Sequence, residues 1–168
     1  GGRLDSSNVA ESKISVLTPI DFDHMEFLGN TLSVIATEKC GIFKEGVPVV
    51  TTPQRKQAMN VIQSSAKKKR CQVALTQKLY PMTAIREHDR GVSFNLKGIQ
   101  VDLPLMGEHQ ALNAQTAAAV CQIFAPDLLH EAIVEGLRQT CWPGRLQRLS
   151  NRPSVYFDVG HNPHGIKA

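Results

Sequence analysis

An α/β domain with a doubly wound, mostly parallel sheet is the fold this sequence predicts, on three observations. Short apolar, partly β-branched runs at 14–18, 47–51 and 72–75 alternate with helical patterns. Alternation of strand and helix is what parallel crossover connections require. Within the second helical stretch, over 54–70, Ala58, Ile62 and Ala66 recur every four residues with Met59 beside them, which is the period of an amphipathic helix. Near residue 92 the pattern changes to two-residue alternation, so antiparallel structure follows the parallel unit.

Each element has its own signal. The run at 14–18 reads as a strand, and Pro19 favours an exit into a loop. Asn30 or Thr31 can cap a helix running to Cys40, with Gly41 placed to end it. The strand at 47–51 carries Pro48 near its start, where no ladder donor is needed. Val92, Phe94 and Leu96 alternate with polar residues, as do Ile99, Val101 and Leu103, and Lys97-Gly98 between them suits a two-residue hairpin turn. An alanine-rich helix is expected over 110–124, and Asp127 can cap another in which Leu129, Ile133 and Leu137 share a face. Trp142-Pro143-Gly144-Arg145 breaks the helical pattern, and 155–158 reads as the first strand of a further unit.

Composition narrows the class. Of the 168 residues 42% are hydrophobic and 20% charged, as in a soluble globular protein, and no apolar stretch approaches the roughly 18 residues of a membrane span. The opening Gly1-Gly2-Arg3-Leu4-Asp5 has no signal-peptide pattern and no initiator methionine, which suggests a chain cut from something larger. The net charge of +4 raises nucleic acid as a partner, but its main basic cluster, Lys67 to Arg70, closes a predicted helix. Cations favour that end of the helix dipole, and no aromatic platform accompanies them, so no nucleic-acid partner is expected. Cys40, Cys71, Cys121 and Cys141 form no Cys-x-x-Cys pair and sit in apolar runs, so they read as small buried hydrophobes in a reducing cytoplasm rather than zinc ligands.

Generic catalytic motifs are mostly missing. No Gly-Lys dipeptide is present, so there is no P-loop within the chain. His130-Glu131 is no zincin motif because position 134 is Val, and no Gly-x-Ser-x-Gly elbow occurs. Three polar clusters remain. Asp21-Phe22-Asp23-His24 follows the first strand, where ligands bind in open α/β sheets, although a capped loop explains it equally well. Glu108-His109 with Asn113 stands at a helix start, a place suited to anions and also to ordinary caps. Asp158-Val159-Gly160-His161-Asn162-Pro163-His164 puts an Asp, an Asn and two His at a strand end, a run that favours function. These residues alone describe a nucleotide- or metal-using α/β domain of unspecified chemistry.

In order along the chain, these stretches resemble the folylpolyglutamate synthase/dihydrofolate synthase branch of the Mur ligase superfamily. The matching runs are Gly1 to Asp5 with Asn8, Asp23-His24 with Leu28-Gly29, and Glu38-Lys39-Cys40-Gly41-Ile42-Phe43-Lys44. Further on come Gly107, His109-Gln110, Asn113-Ala114, Ala117-Ala118, Pro143-Gly144-Arg145 and Asp158 to Pro163. Six motifs in register are specific where one would not be. Gly160 stands where the family is expected to have alanine.

The resemblance implies an ATP- and Mg²⁺-dependent ligase that joins L-glutamate to dihydropteroate or folate through an acyl phosphate. It makes His24 the Mg²⁺ ligand and Lys39 a lysine that takes up CO₂ as a carbamate, an anionic ligand at the metal. Asn113 would recognise the adenine, with His109 close by. Arg145 would reach the ATP phosphates, Asp158 the ribose and His161 the phosphates. It further implies that 1–142 belongs to an incomplete central ATP-binding domain, 143–150 to an interdomain linker and 151–168 to the start of a C-terminal α/β domain. The phosphate loop and a glutamate sharing the metal would lie before Gly1, and most of the C-terminal domain beyond Ala168. Such a chain alone is expected to bind nucleotide weakly and not to turn over. The parent is expected to be a cytoplasmic monomer with small-molecule substrates and no membrane partner. Two alternatives stand beside this one: a Mur-type amino-acid ligase acting on a cell-wall precursor, and a non-catalytic nucleotide-binding module.

Overall fold

The computed structural model describes residues 2–22 and 31–160. It divides into two compact units, 1–79 and 80–168.

In the first unit, β1 (Ser15–Leu17), β2 (Val49–Thr51) and β3 (Val73–Leu75) form a parallel sheet in that order. Ser15 aligns with Val49 and Val49 with Val73. Helix α1 (Leu32–Cys40) connects β1 to β2, and α2 (Lys56–Lys68) connects β2 to β3. The two helices pack against each other, as consecutive right-handed crossovers winding one way demand. A further turn of helix, α3 (Thr76–Leu79), follows β3. The core is Leu17, Ile20, Ile35, Ala36, Cys40, Phe43 and Val49 closed over by Ala58, Ile62 and Ala66, the three residues whose spacing predicts α2. Thr31 caps α1, its hydroxyl accepting from the Val34 N–H at 3.3 Å, an interaction of about 1 kcal/mol. The basic residues after Ala66 are exposed at the end of α2, and Arg70 pairs with Glu45 at 3.4 Å.

The second unit is antiparallel. Strand β5 (Gly91–Leu96) lies between β4 (Met82–His88) and β6 (Ile99–Leu103), with Phe94 opposite Val101 and the turn at Lys97-Gly98 where the sequence puts it. Strand β4 is not expected from the sequence. It bulges between Thr83 and Arg86, Ala84 has φ of 55°, and most of its side chains are exposed, so no two-residue alternation marks it. Helix α4 (Glu108–Phe124) packs across β4 and β5, and α5 (His130–Arg138) across β6. Gln115 on α4 donates to the Tyr80 carbonyl at 2.7 Å, and the Tyr80 hydroxyl donates to Gln122 at 3.1 Å. Those bonds satisfy polar groups inside a core of Tyr80, Val92, Phe94, Leu96 and Val101.

Several expectations need correction. Asp127 does not cap α5. It sits in a turn three residues after the end of α4, and the helix begins at His130 after Leu129, which is 70% exposed rather than on the buried face with Ile133 and Leu137. Cys40 is buried but Cys141 is exposed, and all four thiols are free. After Arg145 the sequence does not show a first strand: β7 (Gln147–Asn151) pairs antiparallel with β8 (Ser154–Phe157). Its alternation is interrupted by a shift between Arg148 and Ser150, which hides it from pattern reading. Among the described residues no helix is long and apolar enough to cross a membrane.

Candidate functional site

The motif residues of the first unit hold one another. The Arg3 N–H donates to the Glu38 carbonyl at 3.0 Å, which also accepts from Gly41 at 3.2 Å, so the N-terminal segment seats on the last turn of α1. The Arg3 guanidinium faces the Glu38 carboxylate at 3.4 Å. Asn8 Nδ2 donates to the carbonyls of Arg3 and Gly41 at 3.1 and 3.3 Å, and Lys44 Nζ donates to the Asn8 carbonyl at 2.6 Å. Gly41 ends α1 as the sequence suggests, though not by a left-handed cap, since its φ is −60°. A Cβ there would stand 2.5 Å from Arg3 Cβ and 2.9 Å from Arg3 Cα, so the close approach of the N-terminal segment requires glycine. Lys39 is half-buried on this turn, and its Nζ bonds to none of the described residues.

In the second unit, two expected site residues meet. Asn113, on the exposed side of α4, and Arg145, in the turn after α5, line one cavity of about 400 Å³. Leu103, Leu137, Ala114 and Ala117 give it apolar walls, and Trp142, 63% exposed, borders it. A second cavity of about 670 Å³ shares Leu105, Thr140, Trp142 and Arg145 with the first and adds Arg90 and Arg148. An apolar slot opening onto guanidinium groups suits a flat aromatic group joined to an anion.

The turn bearing Arg145 is held from the next hairpin. Gly144 has φ of 77°, and a Cβ there would lie 2.9 Å from Val159 Cγ1. Val159 N–H donates to the Gly144 carbonyl at 3.0 Å. Asp158 accepts from the Leu146 N–H at 2.8 Å on one oxygen and from the Gly160 N–H on the other. The Leu146 N–H first, then that of Gly160, hold its carboxyl below the usual carboxylate range, and the charge of Arg145 acts in the same direction. Asp158 thus anchors the Arg145 turn, whatever else it touches.

At the start of α4, Gly107 adopts φ of 99° and the half-buried His109 ring folds over it; a Cβ on Gly107 would be 2.5 Å from His109 Cε1. Gln110, buried, bridges His109 Nε2 at 3.1 Å and Asn113 Nδ2 at 3.1 Å. His109 Nδ1 is buried without a hydrogen-bond partner among the described residues. The sequence singles out His109 and Asn113 but counts Gln110 only within the matching His109-Gln110 run, and Trp142 only as a helix breaker. A buried amide between two site residues appears only once the helix places all three on one turn.

His24 and His161 lie outside the described residues, as does Asp23. Among the described residues no three His, Cys, Asp or Glu side chains gather to hold a metal ion. They do not by themselves make a magnesium site, and no step is derived through one.

Residues 2–121 match the Mur ligase middle domain. The chain belongs to the Mur ligase family. Within that family it is 36% identical over 179 residues to the dihydrofolate synthase/folylpolyglutamate synthase of Bacillus subtilis, an alignment covering 99% of this chain and 41% of the relative. Its backbone matches Mycobacterium tuberculosis folylpolyglutamate synthase complexed with ADP and AMPPCP, with TM-score 0.87 and 32% identity over 100% of this chain and 40% of that one. It likewise matches an FPGS in complex with AMPPCP and folate, with TM-score 0.87 and 31% identity over 99% of this chain and 43% of that one. The chain spans about two fifths of the length of these Mur ligase relatives.

Proposed function

We propose that this chain is part of an ATP-dependent ligase that joins L-glutamate to dihydropteroate or folate. The observation that carries the proposal is the cavity shared by Asn113 and Arg145, in a chain at least 31% identical over nearly its whole length to the folate–glutamate ligases named above. The adenine occupies the apolar slot against Asn113, and Arg145 meets the phosphates, its planar fork matching phosphate oxygens.

A carboxylate is a poor electrophile. Transfer of the γ-phosphoryl group to the carboxylate of the pteroate or folate gives ADP and an acyl phosphate. The glutamate amine then attacks the acyl carbon, the C–N bond forms, and inorganic phosphate leaves with the C–O bonding pair. Such transfers depend mainly on positioning and on charge neutralisation. Arg145 supplies positive charge at the oxygens that gain negative charge, while Asp158 holds its turn in place.

His24, His161 and a carbamate on Lys39 belong to this proposal on the strength of the resemblance, with Mg²⁺ as the cation that His24 and Lys39 would hold. Bound there, Mg²⁺ would neutralise phosphate charge. The half-buried Lys39 side chain, free of bonds to the described residues, is available for such modification. The division into a central domain over 1–142, a linker over 143–150 and the start of another domain over 151–168 rests on the same resemblance.

The test is ADP release by the protein at its natural length, with glutamate and, in turn, dihydropteroate, a reduced folate or a cell-wall nucleotide precursor. Lys39→Ala runs alongside, with and without added short carboxylates. Turnover on a pteridine substrate, lost in the variant, is the expected result. Turnover confined to the cell-wall precursor would overturn the folate assignment, and none at all would leave a non-catalytic nucleotide module.

A further inference from the structure

We infer that Gln110 is a positioning residue that makes the cavity selective for adenine over guanine, by fixing which end of the Asn113 amide faces it. The inference rests on the nucleotide assignment above and adds to it a source of base selectivity.

The argument follows the donors and acceptors in turn. Asn113 Nδ2 donates to Gln110 Oε1 at 3.1 Å. With its oxygen so used, the Gln110 amide turns Nε2 toward His109 Nε2, also at 3.1 Å. A side-chain NH₂ can only donate, so His109 Nε2 accepts and the ring carries its proton on Nδ1. Both amide ends of Gln110 are engaged, and the side chain is buried, its residue 6% exposed. It therefore has no freedom to rotate toward solvent.

Asn113 is left with one amide end free. Its Nδ2 is held by Gln110, and the described residues give its Oδ1 no partner. Asn113 lines the cavity with Arg145, and its free Oδ1 is taken as the acceptor beside this apolar slot. Adenine carries an exocyclic amine, a donor that meets this acceptor. Guanine carries a carbonyl oxygen at the same ring position, and two acceptors would face each other. A site built to bond one such group rejects the analogue that leaves its polar atom unpaired. Without Gln110 the Asn113 amide can rotate and offer its NH₂ instead, and the distinction is lost.

The experiment measures affinity for ATP and GTP, and KM and kcat with each, on the protein at its natural length. The variants are Gln110→Met, Gln110→Glu, Asn113→Leu and the double variant Gln110→Met with Asn113→Leu. Gln110→Met removes both hydrogen bonds at similar size and is expected to lower the ATP-over-GTP preference about tenfold, through KM and Kd rather than kcat. Gln110→Glu keeps an acceptor toward Asn113 and should retain the preference. In the Asn113→Leu background, Gln110→Met should change the preference no further, because the effect acts through Asn113.

An unchanged preference in Gln110→Met overturns the inference. So does an equal loss of ATP and GTP, which would mark a structural role, or a further shift in the double variant. Should Gln110→Met fail to fold, a loss of preference in Gln110→Glu overturns it alone. If the unaltered protein binds neither nucleotide, the nucleotide assignment fails and this inference with it, an outcome distinct from all the others.

Discussion

Two histidine-ended hydrogen-bond chains lie in the second unit, and they differ in what they leave unused. On the open face of the antiparallel sheet, the Arg90 N–H donates to His88 Nδ1 at 3.2 Å, and His88 Nε2 meets Ser93 Oγ at 3.0 Å. Ser93 Oγ donates to Asp102 at 2.6 Å. Both imidazole nitrogens are engaged, and the serine gives its proton to the carboxylate rather than to the imidazole, the reverse of an activated nucleophile. At the start of α4, the His109–Gln110–Asn113 chain ends on one side at a buried Nδ1 and on the other at an Asn113 oxygen beside a cavity. The first chain has a serine, a histidine and an aspartate and no site; the second has none of the familiar nucleophiles and lines one. On the proposed reading, the unused valence beside a cavity, rather than the residue types, is what separates the two chains.

That contrast is sharpest where the cavity meets charge. Arg145→Ala should lower kcat about 100-fold in the ADP-release assay, with the fold intact by circular dichroism, since Arg145 is exposed. Loss of the fold instead would make it a structural residue. Gly107→Ala places a side chain where φ is +99° and only 2.5 Å from the His109 ring. It should cost about 2 kcal/mol in chemical denaturation and weaken ATP binding, because the ring that supports Gln110 must move. Asn113→Ala should weaken ATP binding about tenfold with little change in stability. If replacing His88 by Ala weakened nucleotide binding as much as Asn113→Ala, the distinction between the two chains would collapse.

Sequence periodicity located the parallel unit well because burial there is regular: Ala58, Ile62 and Ala66 are all buried, and the Thr31 cap is formed. It missed β4 and β7, whose bulged registers and exposed side chains carry no alternation. It put Asn113, Arg145 and Asp158 among the site residues from motif resemblance, and the structure joins the first two in one cavity. The binding of Asp158 to the Leu146 and Gly160 backbone is different in kind, since it depends on a hairpin return twelve residues away that no local pattern encodes. Gly41 shows the same limit. A glycine after a helix suggests a left-handed cap, yet here it makes room for Arg3, a contact thirty-eight residues distant in the chain.

The smallest expected effect belongs to the sheet-face chain, and it is a matter of pH. The Ser93 hydroxyl first, then Gln100 and the positive charges of His88 and Arg138, lower the Asp102 carboxyl from its ordinary value of 3.8, partly opposed by burial. A carboxylate depressed in the folded state stabilises it fully above its unfolded value, and that stability is lost as pH falls through the folded value. Ser93→Ala removes the largest contribution. The exposed position of Asp102 screens the interaction, so the cost near neutral pH should be about 0.5 kcal/mol at most. The gap between Ser93→Ala and the unaltered protein should then close on acidification from pH 3.8 downward, as Asp102 protonates in both. ADP release should not change at any pH where both are folded. A gap that persists in acid would mean that Ser93 stabilises the sheet by packing, and a fall in activity would bring the exposed face into the proposed function.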